Sequence, residues 1–84
     1  MSMTGTQIRA ARVLLEMEQA ELAERASVSI NTVRNMEAKG GKIVRVRLDT
    51  LMKVQKALED AGVQFIAKNG GGVGVRLKEG ASDD

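Results

Sequence analysis

Apolar residues recur at helical spacing over most of the chain. Ile8, Ala11 and Leu15 fall at i, i+3 and i+7, with Leu14 beside them, and mark one face of a helix. Thr4-Gly5-Thr6-Gln7 before them has the form of a capping box. A first helix is therefore predicted from this box to Met17, with residues 1–3 frayed and Arg9 and Arg12 largely outward, on a solvated face that is favoured over contact with a phosphate. Leu22, Ala23 and Ala26 define the inner face of a second helix over Gln19 to Ala26. Ser27-Val28-Ser29 reads as a tight turn, with the Ser29 hydroxyl placed to cap a third helix over Ile30 to Ala38. Val33 and Met36 face inward on that helix, and Gly40-Gly41 ends it. A fourth helix is predicted from Leu48 to Ala61. Leu48, Leu51, Gln55 and Leu58 lie on one face, flanked by Met52, Val54 and Ala57. Asp49 in its first turn suits the helix dipole, and Gly62 with Val63 suits its end.

The period then drops to two. Val63 to Ala67 and Val73 to Leu77 both alternate, and Lys68-Asn69-Gly70-Gly71-Gly72 between them supplies a turn with glycine at positive φ. This predicts a β-hairpin. A lone hairpin is marginally stable in water, so either the fourth helix or a second copy of the chain must cover it. Glu79 to Asp84 reads as a polar, disordered end. The glycines at 70, 72 and 74 do not make a phosphate-binding loop, because G-x-G-x-x-G is absent and no Gly-Lys-Ser/Thr follows.

Two short packed helices joined by a three-residue turn describe a helix-turn-helix, whose second helix enters the DNA major groove. QAELAERA followed by SVSINTVRNMEAKGG resembles the Cro/CI-type, or XRE, helix-turn-helix family. The family pattern is roughly Gln-x-x-Leu-Ala-x-x-x-Gly-Val-Ser-x-x-Thr-Ile-x-x-x-Glu. Gln19, Leu22, Ala23, Val28, Ser29, Thr32, Val33 and Glu37 match it, and the likeness covers about residues 4–62. Ser27 is the clearest departure, since the family usually has glycine at a site that wants positive φ. A Cβ there costs about 1 kcal/mol.

The resemblance implies a mainly α fold: a four-helix lambda-repressor-like domain over 4–62, with its helix-turn-helix at 19–38. To this the alternating segment adds a C-terminal β-hairpin over 63–78 and a tail at 79–84. Carried over by position, Ser29, Ile30, Asn31, Arg34 and Asn35 would face base edges. Asn pairs bidentately with adenine, Arg with guanine, and an apolar side chain touches a thymine methyl. The resemblance further implies a phosphate contact at Gln19, where the amides of a helix start suit an anion. Thr32 either touches a phosphate or packs. Glu37 matches a structural acid, for which Arg12 or Arg25 is the available base.

Charge adds to this. The net charge is only +2, yet Glu16 to Glu24 carries acids and no base, while Ala38 to Leu48 carries Lys39, Lys42, Arg45 and Arg47 and no acid. Next to a helix-turn-helix, these cations read as phosphate contacts on an extended basic connector, KIVRVR. With neither Cys nor His, the chain offers no disulfide, no usual zinc site and no His-based acid–base pair. Phe65 is the sole aromatic, which argues against binders that stack single-stranded bases. No cofactor is expected. Neither a membrane-spanning run nor a signal sequence is visible, so the expected location is cytoplasmic, with the nucleoid.

The sequence thus predicts a double-stranded DNA-binding transcriptional regulator and no enzyme. A repressor is favoured, since no activation domain is visible. It should act as a homodimer on half-sites about 34–36 Å apart. Phe65, Ile66, Val73, Val75 and Leu77 of the hairpin are the expected dimer interface. The alternative is an antitoxin that binds a partner toxin and autoregulates its operon. A DNA binder with little sequence preference is the third reading.

Overall fold

A computed structural model describes residues 2–68 and 70–79. Four helices, α1 (Gly5–Leu14), α2 (Gln19–Ala26), α3 (Ile30–Glu37) and α4 (Leu48–Ala61), precede two strands, β1 (Val63–Ile66) and β2 (Gly74–Leu77). The α2–α3 pair packs on α4 and α1. Ile8, Leu22, Val33, Met36, Val54 and Leu58 are fully buried where these helices meet. Each such side chain contributes about 1.5–3 kcal/mol by leaving water. Among the described residues no helix is long and apolar enough to cross a membrane.

The caps form as their residues dictate. Thr4 and Gln7 make a reciprocal capping box: the Gln7 amide donates to Thr4 Oγ1 at 3.0 Å, and the Thr4 amide donates to Gln7 Oε1 at 2.9 Å. Ser29 Oγ accepts the Thr32 amide at 3.1 Å to start α3. Ser27 takes the left-handed conformation, φ 58° and ψ 44°, that its position in the turn demands. Gly62, at φ 123°, closes α4 and turns the chain directly into β1.

The structure departs from the sequence reading at several points. Residues 1–3 were expected to fray, but Met3 is fully buried and its carbonyl accepts the Val44 amide at 2.8 Å. Thr4 forms a β-bridge with Ile43, so the chain start is clamped to the basic connector; Met1 lies outside the described residues. The first helix stops at Leu14 rather than Met17. Glu16 breaks it with φ 55°, and this bend turns Met17 into the core. Leu14 is left 42% exposed. On α4 the inner face is Leu51, Val54, Ala57 and Leu58, while Leu48 and Met52 face solvent. Val54 and Ala57, placed on the flank, are core because that face meets both α2 and β1.

The hairpin is antiparallel with Val63 opposite Leu77 and Phe65 opposite Val75, the pairing the alternation predicts. Ala67 and Val73 lie just outside the ladder. Gly70 supplies positive φ in the turn; Asn69 lies outside the described residues, as does the tail from residue 80. The hairpin is covered within its own chain. β1 packs on α4 and β2 on α1, with Val63 fully buried and Phe65 and Val75 leaning on the core. Gln7 Nε2 donates to the Gly74 carbonyl at 3.0 Å and fastens β2 to the cap of α1.

One close approach was not visible in the sequence. A Cβ on Gly5 would come within 2.8 Å of the Glu37 carbonyl oxygen and the Gly40 amide nitrogen. Only glycine lets the start of α1 pass under the end of α3. Two substitutions should therefore move stability in opposite directions. Ser27→Gly should stabilise by about 1 kcal/mol, raising the thermal midpoint by about 4–8 °C. Gly5→Ala should destabilise by about 1–3 kcal/mol, since the methyl meets backbone that must shift. Thermal and urea denaturation followed by circular dichroism checks both.

Candidate nucleic-acid interface

The α3 helix has one buried and one open side. Val33 and Met36 are buried against α2 and α1, and Ile30 is half-buried against the core. Asn31, Arg34 and Asn35, at i, i+3 and i+4, are exposed on the opposite side. Arg34 Nη1 reaches Asn31 Oδ1 at 3.5 Å, so the two polar side chains lie side by side. Ser29 is exposed at the helix start, but its hydroxyl is held in the cap and lies 2.9 Å from Thr32 Oγ1. Thr32 is half-buried and shares that bond. The five positions read as base-facing thus divide: three project freely, Ser29 caps, and Ile30 leans inward.

Behind this stripe stands a buried polar cluster. Arg12 of α1 donates from Nε to Glu37 Oε2 at 2.8 Å and from Nη2 to Glu37 Oε1 at 3.1 Å. Its remaining Nη1 donates to the Met17 carbonyl at 3.0 Å. Gln19 Nε2 donates to the same Glu37 Oε1 at 3.1 Å. The Glu37 and Arg12 side chains are only 6% and 15% exposed. Arg12 had been read as largely outward but also, with Arg25, as an available base for Glu37; the structure makes it that base and turns it inward, because Glu37, at the far end of α3, needs a forked partner once buried. Arg25 instead pairs with Glu21 on the surface of α2. The hydrogen bond to Glu37 raises the Arg12 guanidinium above its ordinary value. A cation whose folded value is raised keeps its contribution until the pH climbs past that value, so Arg12 stays charged at any ordinary pH.

Gln19 therefore arrives at the start of α2 already oriented. Its N-cap, Glu18, makes no side-chain bond to the helix amides. Arg9, Arg12, Glu18, Gln19, Arg34 and Glu37 line a cleft of about 440 Å³ between the second half of α1, the start of α2 and the end of α3. The sequence reading had ranked Arg9 as solvated surface. Its spacing three residues before Arg12 was the available signal, and the structure sets it at the rim of this cleft. Lys39 in the turn after α3, and Lys42, Arg45 and Arg47 along the connector, are all exposed. Arg47 Nε lies 3.2 Å from Asp49 Oδ1, and this bond lowers the Asp49 carboxyl below its usual range. Both side chains are open to water, so the pair is weak and leaves Arg47 available.

Glu37→Ala should cost about 3–5 kcal/mol in urea unfolding, because it leaves Arg12 buried without its counter-charge. The double variant Arg12→Met/Glu37→Leu should recover most of that loss, since apolar replacement of a buried pair is often neutral.

No curated protein matches the chain closely. The family model described as helix-turn-helix matches residues 8–59, more than half of the chain. The match spans the buried ion pair and runs from α1 through most of α4. A capped, half-open α3 held across α2 is the geometry that family uses to enter the major groove. The protein belongs to the Cro/CI-type (XRE) helix-turn-helix family of DNA-binding transcriptional regulators.

Proposed function

We propose that this protein is a sequence-specific repressor that reads double-stranded DNA as a homodimer, with α3 in the major groove. The observation that carries the reading is the exposed stripe of Asn31, Arg34 and Asn35 on a helix whose other side is locked in the core. Arg34 offers a forked donor to guanine and the two Asn side chains offer paired donor and acceptor to adenine. Ser29 and Ile30 sit at the leading end of the helix, where only the half of Ile30 not packed on the core is left to meet a thymine methyl.

Phosphate contacts surround this stripe. Gln19 and the open amides of α2 take one strand, with Arg9 across the cleft and Thr32 at the helix start. Lys39, Lys42, Arg45 and Arg47 follow the backbone beyond α3. The hairpin joins the two copies. Phe65 and Val75 are partly occupied by their own core, so Ile66, Val73 and Leu77 carry the outward share. A regulator of this kind acts in the cytoplasm, on the nucleoid.

Selection of bound sequences from random duplex DNA tests the reading. The expected outcome is a two-fold symmetric motif with half-sites about 34–36 Å apart. Arg34→Ala should cost about 1–3 kcal/mol on that motif and relax one position within it. Lys42→Ala or Arg45→Ala should weaken all sequences alike and lower the salt slope by about one each. Uniformly weak binding without a motif would sink the proposal and point to a protein partner, such as a toxin.

A further inference from the structure

We propose that the tip of the hairpin is a second DNA-contacting element, whose bare backbone at Gly71 and Gly72, with Gly41 near it, takes phosphates next to those held by the connector. The inference rests on the DNA-binding reading above and adds a site to it. Glycine loses the most conformational freedom on folding, so it is kept where φ is positive or where a side chain would not fit. Gly40, Gly62 and Gly70 have positive φ, and Gly5 has no room for a Cβ. Gly41, Gly71 and Gly72 have neither reason. Their φ values lie outside the left-handed region, and nothing but their chain neighbours lies within 4 Å of where a Cβ would stand. A bare backbone that the chain does not need for its own packing suits the close approach of another molecule.

These glycines lie far apart in sequence, but the fold brings their segments together. Gly41 lines the same cleft as Val73 and Gly74, the residues that follow the tip. The first turn of α1 fastens both segments. Gln7 Nε2 donates to the Gly74 carbonyl at 3.0 Å, and the Thr6 amide donates to the Gly40 carbonyl at 2.8 Å. Thr4, the cap of that turn, bridges to Ile43 on the connector. The hairpin tip and the start of the basic connector are therefore neighbours.

Charge decides what approaches them. Lys42 and Lys68 are exposed beside the bare segments. Neither Ala38 to Leu48 nor Ala67 to Leu77 contains an acid, so nothing within them repels an anion. A DNA strand that follows the connector carries closely spaced phosphates. Main-chain amides are ordinary donors to phosphate oxygens, and a residue without a side chain lets the phosphate come near. Such a contact needs none of the nucleotide-loop spacing, because the backbone is touched in passing rather than cradled.

Valine variants of the full chain test this, because the fold leaves room for the side chain. Gly71→Val and Gly72→Val should keep the circular dichroism and the thermal midpoint of the wild type. Each should raise Kd for the selected duplex about tenfold, and by the same factor on random DNA, with the selected motif unchanged. Lys68→Ala should lower the salt slope by about one. Hydroxyl-radical footprinting of the wild type should show sugar-phosphate protection that Gly71→Val loses, while the protection at α3 stays. Valine variants that bind DNA as the wild type does would overturn the proposal, leave the glycines as a loose turn and leave the reading by α3 standing. A lowered thermal midpoint would give the glycines a role in the fold and also overturn it. A wild-type chain that binds no duplex overturns this contact and the DNA-binding reading together.

Discussion

The buried carboxylate of Glu37 is the group around which the helices are arranged. Taking a charge out of water is tolerable only with a close partner and satisfied lone pairs. Glu37 meets both conditions with the forked Arg12 guanidinium and the Gln19 amide. One side chain at the end of α3 thereby fixes α1, the start of α2 and, through the Arg12 bond to Met17, the bend between them. An apolar core of this size can tolerate sliding between helices. A forked ion pair allows one geometry, so the angle at which α3 is presented is set by charge more than by volume.

The start of α1 is the second organising point. Gly5 passes under the end of α3, and the Thr6 amide donates to the Gly40 carbonyl at 2.8 Å. Gln7 spends its carbonyl on the helix cap and its amide nitrogen on β2. The recognition helix and the hairpin do not touch in any substantial way, but both are fastened to these few residues. The α3 helix and the hairpin, the proposed dimer element, thus share one base, as two linked half-sites require.

Much of this was legible in the sequence because it rests on local signals. Capping residues at Thr4, Ser29 and Gly62, the helical period and the two-residue alternation located every element and the hairpin pairing. The strain at Ser27 was visible as a departure from a pattern and is present as φ 58°. What escaped was non-local. That Met3 is core, that Leu48 is not, and that Arg12 rather than Arg25 turns inward to Glu37 all depend on which elements meet, and spacing along one helix does not carry that. Gly5 looked like part of a capping box, while its lack of a side chain serves a contact more than thirty positions away. In the interface, the polar face of α3 was legible, while a phosphate role for Arg9 was ranked below solvated surface, since a surface arginine gains meaning only from the cleft it borders.

The bond from Gln7 to Gly74 joins groups 67 residues apart. During synthesis the chain leaves the ribosome from its first residue, so α1 emerges long before β2. The α2–α3 pair, close in sequence, can form early, whereas the side-chain amide of Gln7 must wait for a partner 67 residues further on. Until then the apolar side of α1 that receives β2 is uncovered. The second strand of the hairpin is thus the one that completes the packing of the first helix, and the domain closes only after that strand has been made.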